Sequence, residues 1–124
     1  MPETTHPPAG EYPRPAPVHH LDLEVAASQL LSELPGKRRR TRNLARESGV
    51  SAMLMALEAG AVVKEHSAEG VVTIQLLRGH VFVSMGSESL ELQQEQLLMF
   101  QPGIRHDLRA EEQSVLLLTI TGGH

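Results

Sequence analysis

Glu95-Gln96-Leu97-Leu98-Met99-Phe100-Gln101-Pro102-Gly103-Ile104-Arg105-His106 decides how the rest of the chain is read. An apolar run, Leu97 to Phe100, gives way to Pro-Gly, where proline presets one turn dihedral and glycine accepts positive φ. The chain must reverse sharply here, and His106, three residues after the glycine, opens the next strand at a defined place. An imidazole held on β structure beside a turn is well placed to act as a ligand or a base.

On both sides of this stretch the periodicity is two. Val50 to Leu57 alternates, Val71 to Leu77 is rich in β-branched residues, and Val81–Met85, Ser89–Leu92 and Val115–Thr121 complete a set of short strands. Gly60, Glu69-Gly70, Arg78-Gly79, Gly86-Ser87 and Pro102-Gly103 punctuate them. Closely spaced short strands with such turns predict an all-β antiparallel sandwich or barrel. Val72, Ile74 and Leu76 share one face by period two, which predicts an apolar interior suited to a small organic ligand. A slip of one residue would instead present Thr73 and Gln75. Met53, Met55, Met85 and Met99 fall inside strands, where core filling is the expected role ahead of a Met-lined pocket.

Upstream, Asp22 to Leu34 reads as the one helix. Leu23, Ala26, Ala27, Leu30, Leu31 and Leu34 recur at three- and four-residue steps, Asp22 suits an N-cap, and Pro35-Gly36 stops it. Six prolines lie between Met1 and Pro17, so residues 1–18 are expected to form an extended or disordered arm and residues 19–124 a single domain. The stretch Lys37 to Arg46 holds six of the eleven basic residues. It reads as a solvated edge strand whose charges discourage edge pairing, ahead of an anion or nucleic-acid patch.

Composition narrows the functional classes. No cysteine is present, which removes disulfides, thiolate nucleophiles and thiolate metal sites, so a metal would need His, Asp, Glu or amide oxygen. A net charge of −4 with two Phe, one Tyr and no Trp makes nucleic acid an unlikely partner, since a stacking platform is missing. The longest late apolar run, Val115 to Leu118, is far short of a bilayer span, and the start Met-Pro-Glu lacks the apolar core of a signal peptide, so a cytoplasmic protein is expected.

Over residues 48–121 the chain resembles the small single-domain cupins. Their first motif runs G-x(5)-H-x-H-x(3,4)-E-x(6)-G, and here Gly60, His66 and Gly79 match it, while Ala68 stands at the second histidine and Val72 at the glutamate. The second motif runs G-x(5)-P-x-G-x(2)-H-x(3)-N, and Gly103 and His106 match it. Glu95, Gln101 and Ala110 replace its opening glycine, its proline and its asparagine. The resemblance implies a double-stranded β-helix, a jelly-roll barrel with the one N-terminal helix added, in which the two motif histidines meet at the mouth. It also implies a homodimer paired through sheet edges. In metal-binding cupins three histidines and one glutamate hold Fe, Mn, Ni or Zn, and this sequence keeps two of those four.

The expected function is therefore a small cupin-like barrel that binds a small molecule or a loosely held divalent transition metal (Zn, Fe, Mn or Ni). His66 and His106 are the ligands, Val72 and Ile74 line the site, and Glu65, Glu69 and His80 read as solvent-facing. The alternatives are a metal-dependent oxygenase or isomerase of a small organic substrate, and a regulatory module contacting an acidic partner through Arg38 to Arg42.

Overall fold

Nine strands and one helix make up the computed structural model, which describes residues 12–64 and 69–122. The helix α1 spans Leu23–Ser32. The strands are β1 (Arg39–Glu47), β2 (Val50–Leu57), β3 (Val62–Lys64), β4 (Val72–Arg78), β5 (His80–Met85), β6 (Glu88–Gln93), β7 (Leu97–Phe100), β8 (Asp107–Ala110) and β9 (Ser114–Thr121). Two antiparallel sheets form, a five-stranded one in the order β1-β2-β9-β4-β7 and a four-stranded one in the order β3-β8-β5-β6.

The alternation expected in β4 sets the phase of the interior. Val72, Ile74 and Leu76 are buried, and from the opposite sheet so are Val81, Val83 and Leu108. With Met55, Leu57, Val63, Leu92, Phe100, Leu116 and Leu118 they form one apolar cluster between the sheets. In β2 the burial is continuous from Leu54 to Leu57, because α1 covers the outer face of the same strand. Ala27, Leu30 and Leu34 pack there against Leu44, Leu54, Ala56 and Val115. Each fully buried leucine of that layer contributes about 2 kcal/mol by removal of apolar surface from water.

Local signals place α1. The Val25 N–H donates to Asp22 Oδ1 at 3.0 Å, the expected N-cap, and Gly36 with φ +83 follows the last turn. Methionine roles divide by position. Met55 fills the core, and Met53 and Met85 pack at its margin, but Met99 is 68% exposed. Its strand β7 is a sheet edge, and the pairing Thr73↔Met99 puts Met99 on the outer face beyond the cover of α1, so core filling does not hold for it.

The basic stretch forms the opposite edge, β1, and three of its guanidiniums are engaged within the chain. Arg38 Nη2 donates to the Gly60 carbonyl at 2.9 Å, and Arg40 pairs with Glu33 at 3.2 Å. Arg42, only 8% exposed, donates to Gln29 Oε1 at 3.0 Å and to Glu33 Oε2 at 2.8 Å. The Arg40 and Arg42 bonds fasten the C-terminal end of α1 to the sheet.

Residues 12–22 contain no regular element and fasten to the end of β1. The Tyr12 ring lies 5.3 Å from the Arg46 guanidinium carbon, and Glu47 Oε2 accepts from the Ala16 N–H at 2.9 Å and lies 2.6 Å from His19 Nε2. The His19 hydrogen bond, followed by that from Ala16, holds the Glu47 carboxyl below its ordinary value of 4.5. A depressed carboxyl contributes stability that is present above that ordinary value and lost as pH falls through the folded-state value. The urea midpoint of the wild type is therefore expected to drop further than that of Glu47→Gln between neutral pH and pH about 3. Parallel curves for the two proteins would show that the contact contributes nothing to folding.

A candidate ligand site at one end of the barrel

Strand directions gather one set of termini. β4 begins at Val72, which is paired with Phe100 at the end of β7 and with Ile120 near the end of β9. β8 begins at Asp107, which is paired with Lys64 at the end of β3 and with Ser84 near the end of β5. The Pro102-Gly103 turn, with Gly103 at φ +85, spans from β7 to β8 at this same end and carries His106.

His106 is 4% exposed. Its ring stacks on Phe100 with centroids 4.4 Å apart and planes 2° from parallel. Nδ1 lies 3.3 Å from the Ile104 carbonyl oxygen, which can only accept, so in the neutral ring Nδ1 carries the proton and Nε2 the lone pair. Nε2 is buried and has no hydrogen-bond partner among the described residues. It can accept a hydrogen bond, take a proton or ligate a metal ion.

Phe100, stacked on the ring, belongs to the apolar cluster between the sheets. Val72 and Ile74 belong to the buried cluster, as expected, and Met53, Met85, Leu98 and Ile120 pack partly exposed against it. These four occupy strand positions near the His106 end, so apolar side chains, two of them flexible methionines, flank the interior there. Phe100 reads from sequence only as a strand residue, and its stacking role needs the fold. The available signal was one of only two phenylalanines, six residues before the histidine and across a reversing turn.

His66, the partner expected for His106, lies outside the described residues, as do Glu65 and Ala68. Glu69 is exposed. His80 sits at the other end of β5 with Nε2 2.5 Å from Glu91 Oε2, on the face opposite to the inward Val81 and Val83, so it is turned away from the site.

A tightly held metal does not suit this donor set. Val72 stands at the motif's carboxylate position and is aliphatic and buried, which leaves at most two imidazoles for an ion that prefers three or four protein ligands. Among the described residues no group of three His, Asp or Glu could hold an ion. Among them, too, no helix is long and apolar enough to cross a membrane.

No family model matches the sequence, and no curated protein matches it either. Solved structures do. A cupin superfamily protein from Desulfitobacterium hafniense superposes with a TM-score of 0.65 at 18% identity, covering 89% of this chain and 94% of its own. A cupin-2 domain containing protein from Shewanella frigidimarina gives 0.67 at 14% identity, covering 82% and 94%. Salicylate 1,2-dioxygenase from Pseudoaminobacter salicylatoxidans, in a mutant form, gives 0.65 at 18% identity over 79% of this chain but 32% of that one. With two facing antiparallel sheets, the motif glycines at their turns and near end-to-end superposition on two such proteins, the chain has the fold of a small cupin-2-type barrel.

Proposed function

We propose that the protein binds a small molecule at the His106 end of its barrel, with His106 as the polar anchor, Val72 and Ile74 as wall, and His66 as a second imidazole. One observation carries this reading: Nε2 of His106 is buried, beside the apolar cluster that holds Phe100, with no hydrogen-bond partner among the described residues. Leaving such an atom unsatisfied costs about 1–3 kcal/mol, which an aliphatic side chain at this position would avoid. A bound molecule would satisfy it.

His106→Leu is therefore expected to leave the unfolding free energy within about 1 kcal/mol of wild type, because the lost bond to Ile104 is offset by removal of the orphaned nitrogen. Among hits from a single-ring fragment library, detected by NMR with the wild type, those that donate a hydrogen bond are expected to weaken with the variant. A loss above about 2 kcal/mol with an unchanged set of hits would make the imidazole purely structural.

A loosely held divalent ion is the other occupant that lone pair would accept. With His66 and His106 as ligands and water or substrate completing its shell, the protein would be a metal-dependent oxygenase or isomerase, and the fold shared with a dioxygenase supports weighing this version. Near-stoichiometric Fe, Mn, Ni or Zn in purified protein, lost in the His66→Ala, His106→Ala double variant, would establish it over the organic ligand.

The same proposal includes a homodimer, supported by the edge strands. β1, β3 and β6 each carry charged residues, whereas β7 is Leu-Leu-Met-Phe with Leu97 55% and Met99 68% exposed. Uncharged apolar edges invite pairing. Light scattering is expected to give twice the chain mass for the wild type and the single mass for Leu97→Lys, Met99→Lys. A wild-type monomer at micromolar concentration would remove the dimer from the proposal.

A further inference from the structure

Taking the small-molecule reading as its basis, we infer the ligand class: a neutral, mostly hydrocarbon molecule that presents one hydrogen-bond donor, a phenol or alcohol hydroxyl, to Nε2 of His106. The tautomer supplies the first step. The Ile104 carbonyl oxygen accepts a hydrogen bond from Nδ1–H, so in the neutral ring the other nitrogen offers a lone pair and asks for a donor. A ketone, ether or ester oxygen brings only lone pairs of its own and gains nothing there.

The walls supply the second step. Phe100 covers a face of the imidazole at 4.4 Å, and Val72, across from Phe100 on β4, continues the surface in hydrocarbon. Ile74, Leu118 and Leu108 extend the same cluster. A carboxylate or phosphate moved into that surround would lose its hydration with no cation in the described apolar cluster to replace it. A hydroxyl loses far less and recovers it in one bond. Met53 and Met85 at the margin can repack around rings or chains of different outline, so discrimination rests on the donor more than on shape.

Three probes of one outline separate the possibilities: 4-methylphenol, 4-methylanisole and 4-methylbenzoate. Each is titrated into wild type and into His106→Leu, and the ring nitrogen resonances of His106 are followed by two-bond proton–nitrogen correlation. The phenol is expected to bind wild type about tenfold more tightly than the anisole or the benzoate, the value of one buried hydrogen bond, and to move the Nε2 resonance. In His106→Leu that preference is expected to vanish while the anisole still binds. Equal affinity of phenol and anisole for wild type would overturn the donor class and leave the small-molecule site standing. Tightest binding of the benzoate would also overturn it, since that result requires a cation in the site. If no probe at millimolar concentration moves any interior resonance, the small-molecule reading itself falls, and the ligand class with it.

Discussion

Gly79→Ala is expected to destabilise the protein by roughly 3–5 kcal/mol, a large share of the 5–15 kcal/mol that holds a typical domain folded. Gly79 joins β4 to β5 with φ +100, a left-handed conformation that costs a residue with a side chain about 1–2 kcal/mol. A Cβ there would lie 2.2 Å from Ser114 Oγ, 2.5 Å from the Gln113 carbonyl oxygen and 2.7 Å from Ser114 Cα. Two of those atoms are backbone and cannot swing aside. Ser114 is itself fully buried and accepts from the His80 N–H at 3.1 Å, so the β4–β5 turn is fastened to the start of β9. Gly86→Ala is the control, for Gly86 also has positive φ, at +61, but nothing lies within 4 Å of its Cβ position. Urea unfolding should show a small loss for Gly86→Ala and a several-fold larger one for Gly79→Ala with the slope unchanged. Equal losses would mean that dihedral strain alone, and not the approach to β9, requires glycine at position 79.

That comparison also shows what made the fold legible. Gly60 and Gly79, noticed first as fixed points of a motif, take φ of +85 and +100, so the spacing encoded backbone conformation. Glu95, in place of the glycine that opens the second motif, still adopts φ +69, so the turn outlasts the residue that suits it. Period two placed β2, β4, β5, β6, β7 and β9 within a residue or so and set the inward phase of Val72, Ile74 and Leu76. Tertiary facts escaped that logic. Arg42 is buried because α1 lies over β1, and nothing local to the Arg-rich stretch announces the carboxylate of Glu33 waiting there. Met99 is exposed because α1 stops short of β7, although its strand neighbours alternate like those of any core strand. The stack of His106 on Phe100 joins the last residue of β7 to the residue that precedes β8 in the other sheet, a juxtaposition set where the chain crosses from one sheet to the other.

Val72→Glu is the substitution with the most to say about the chemistry of the site. It restores a carboxyl at the motif position, but at a side chain that is 6% exposed and set in a cluster of aliphatic residues and Phe100. An ionised carboxylate left there without a partner is expected to cost about 3–5 kcal/mol at neutral pH. The same burial raises the introduced group's folded-state pKa above its ordinary value of about 4.3. The sign follows: below that ordinary value both states are protonated and the charge penalty is absent, and it grows as pH rises until the folded-state value is passed. Wild type and variant should therefore converge in stability at acid pH and separate toward neutrality. Added Zn²⁺ tests the other half. If the new carboxyl completes a set with the motif imidazoles, the variant gains RT ln(1 + [Zn²⁺]/Kd), about 4 kcal/mol at a thousandfold excess over Kd, whereas the wild type gains almost nothing. An equal gain by the wild type would mean that two imidazoles already hold the ion, and the organic ligand would give way to the metal. No loss in the variant at neutral pH would mean that water reaches position 72, and the apolar interior on which the ligand class depends would not exist.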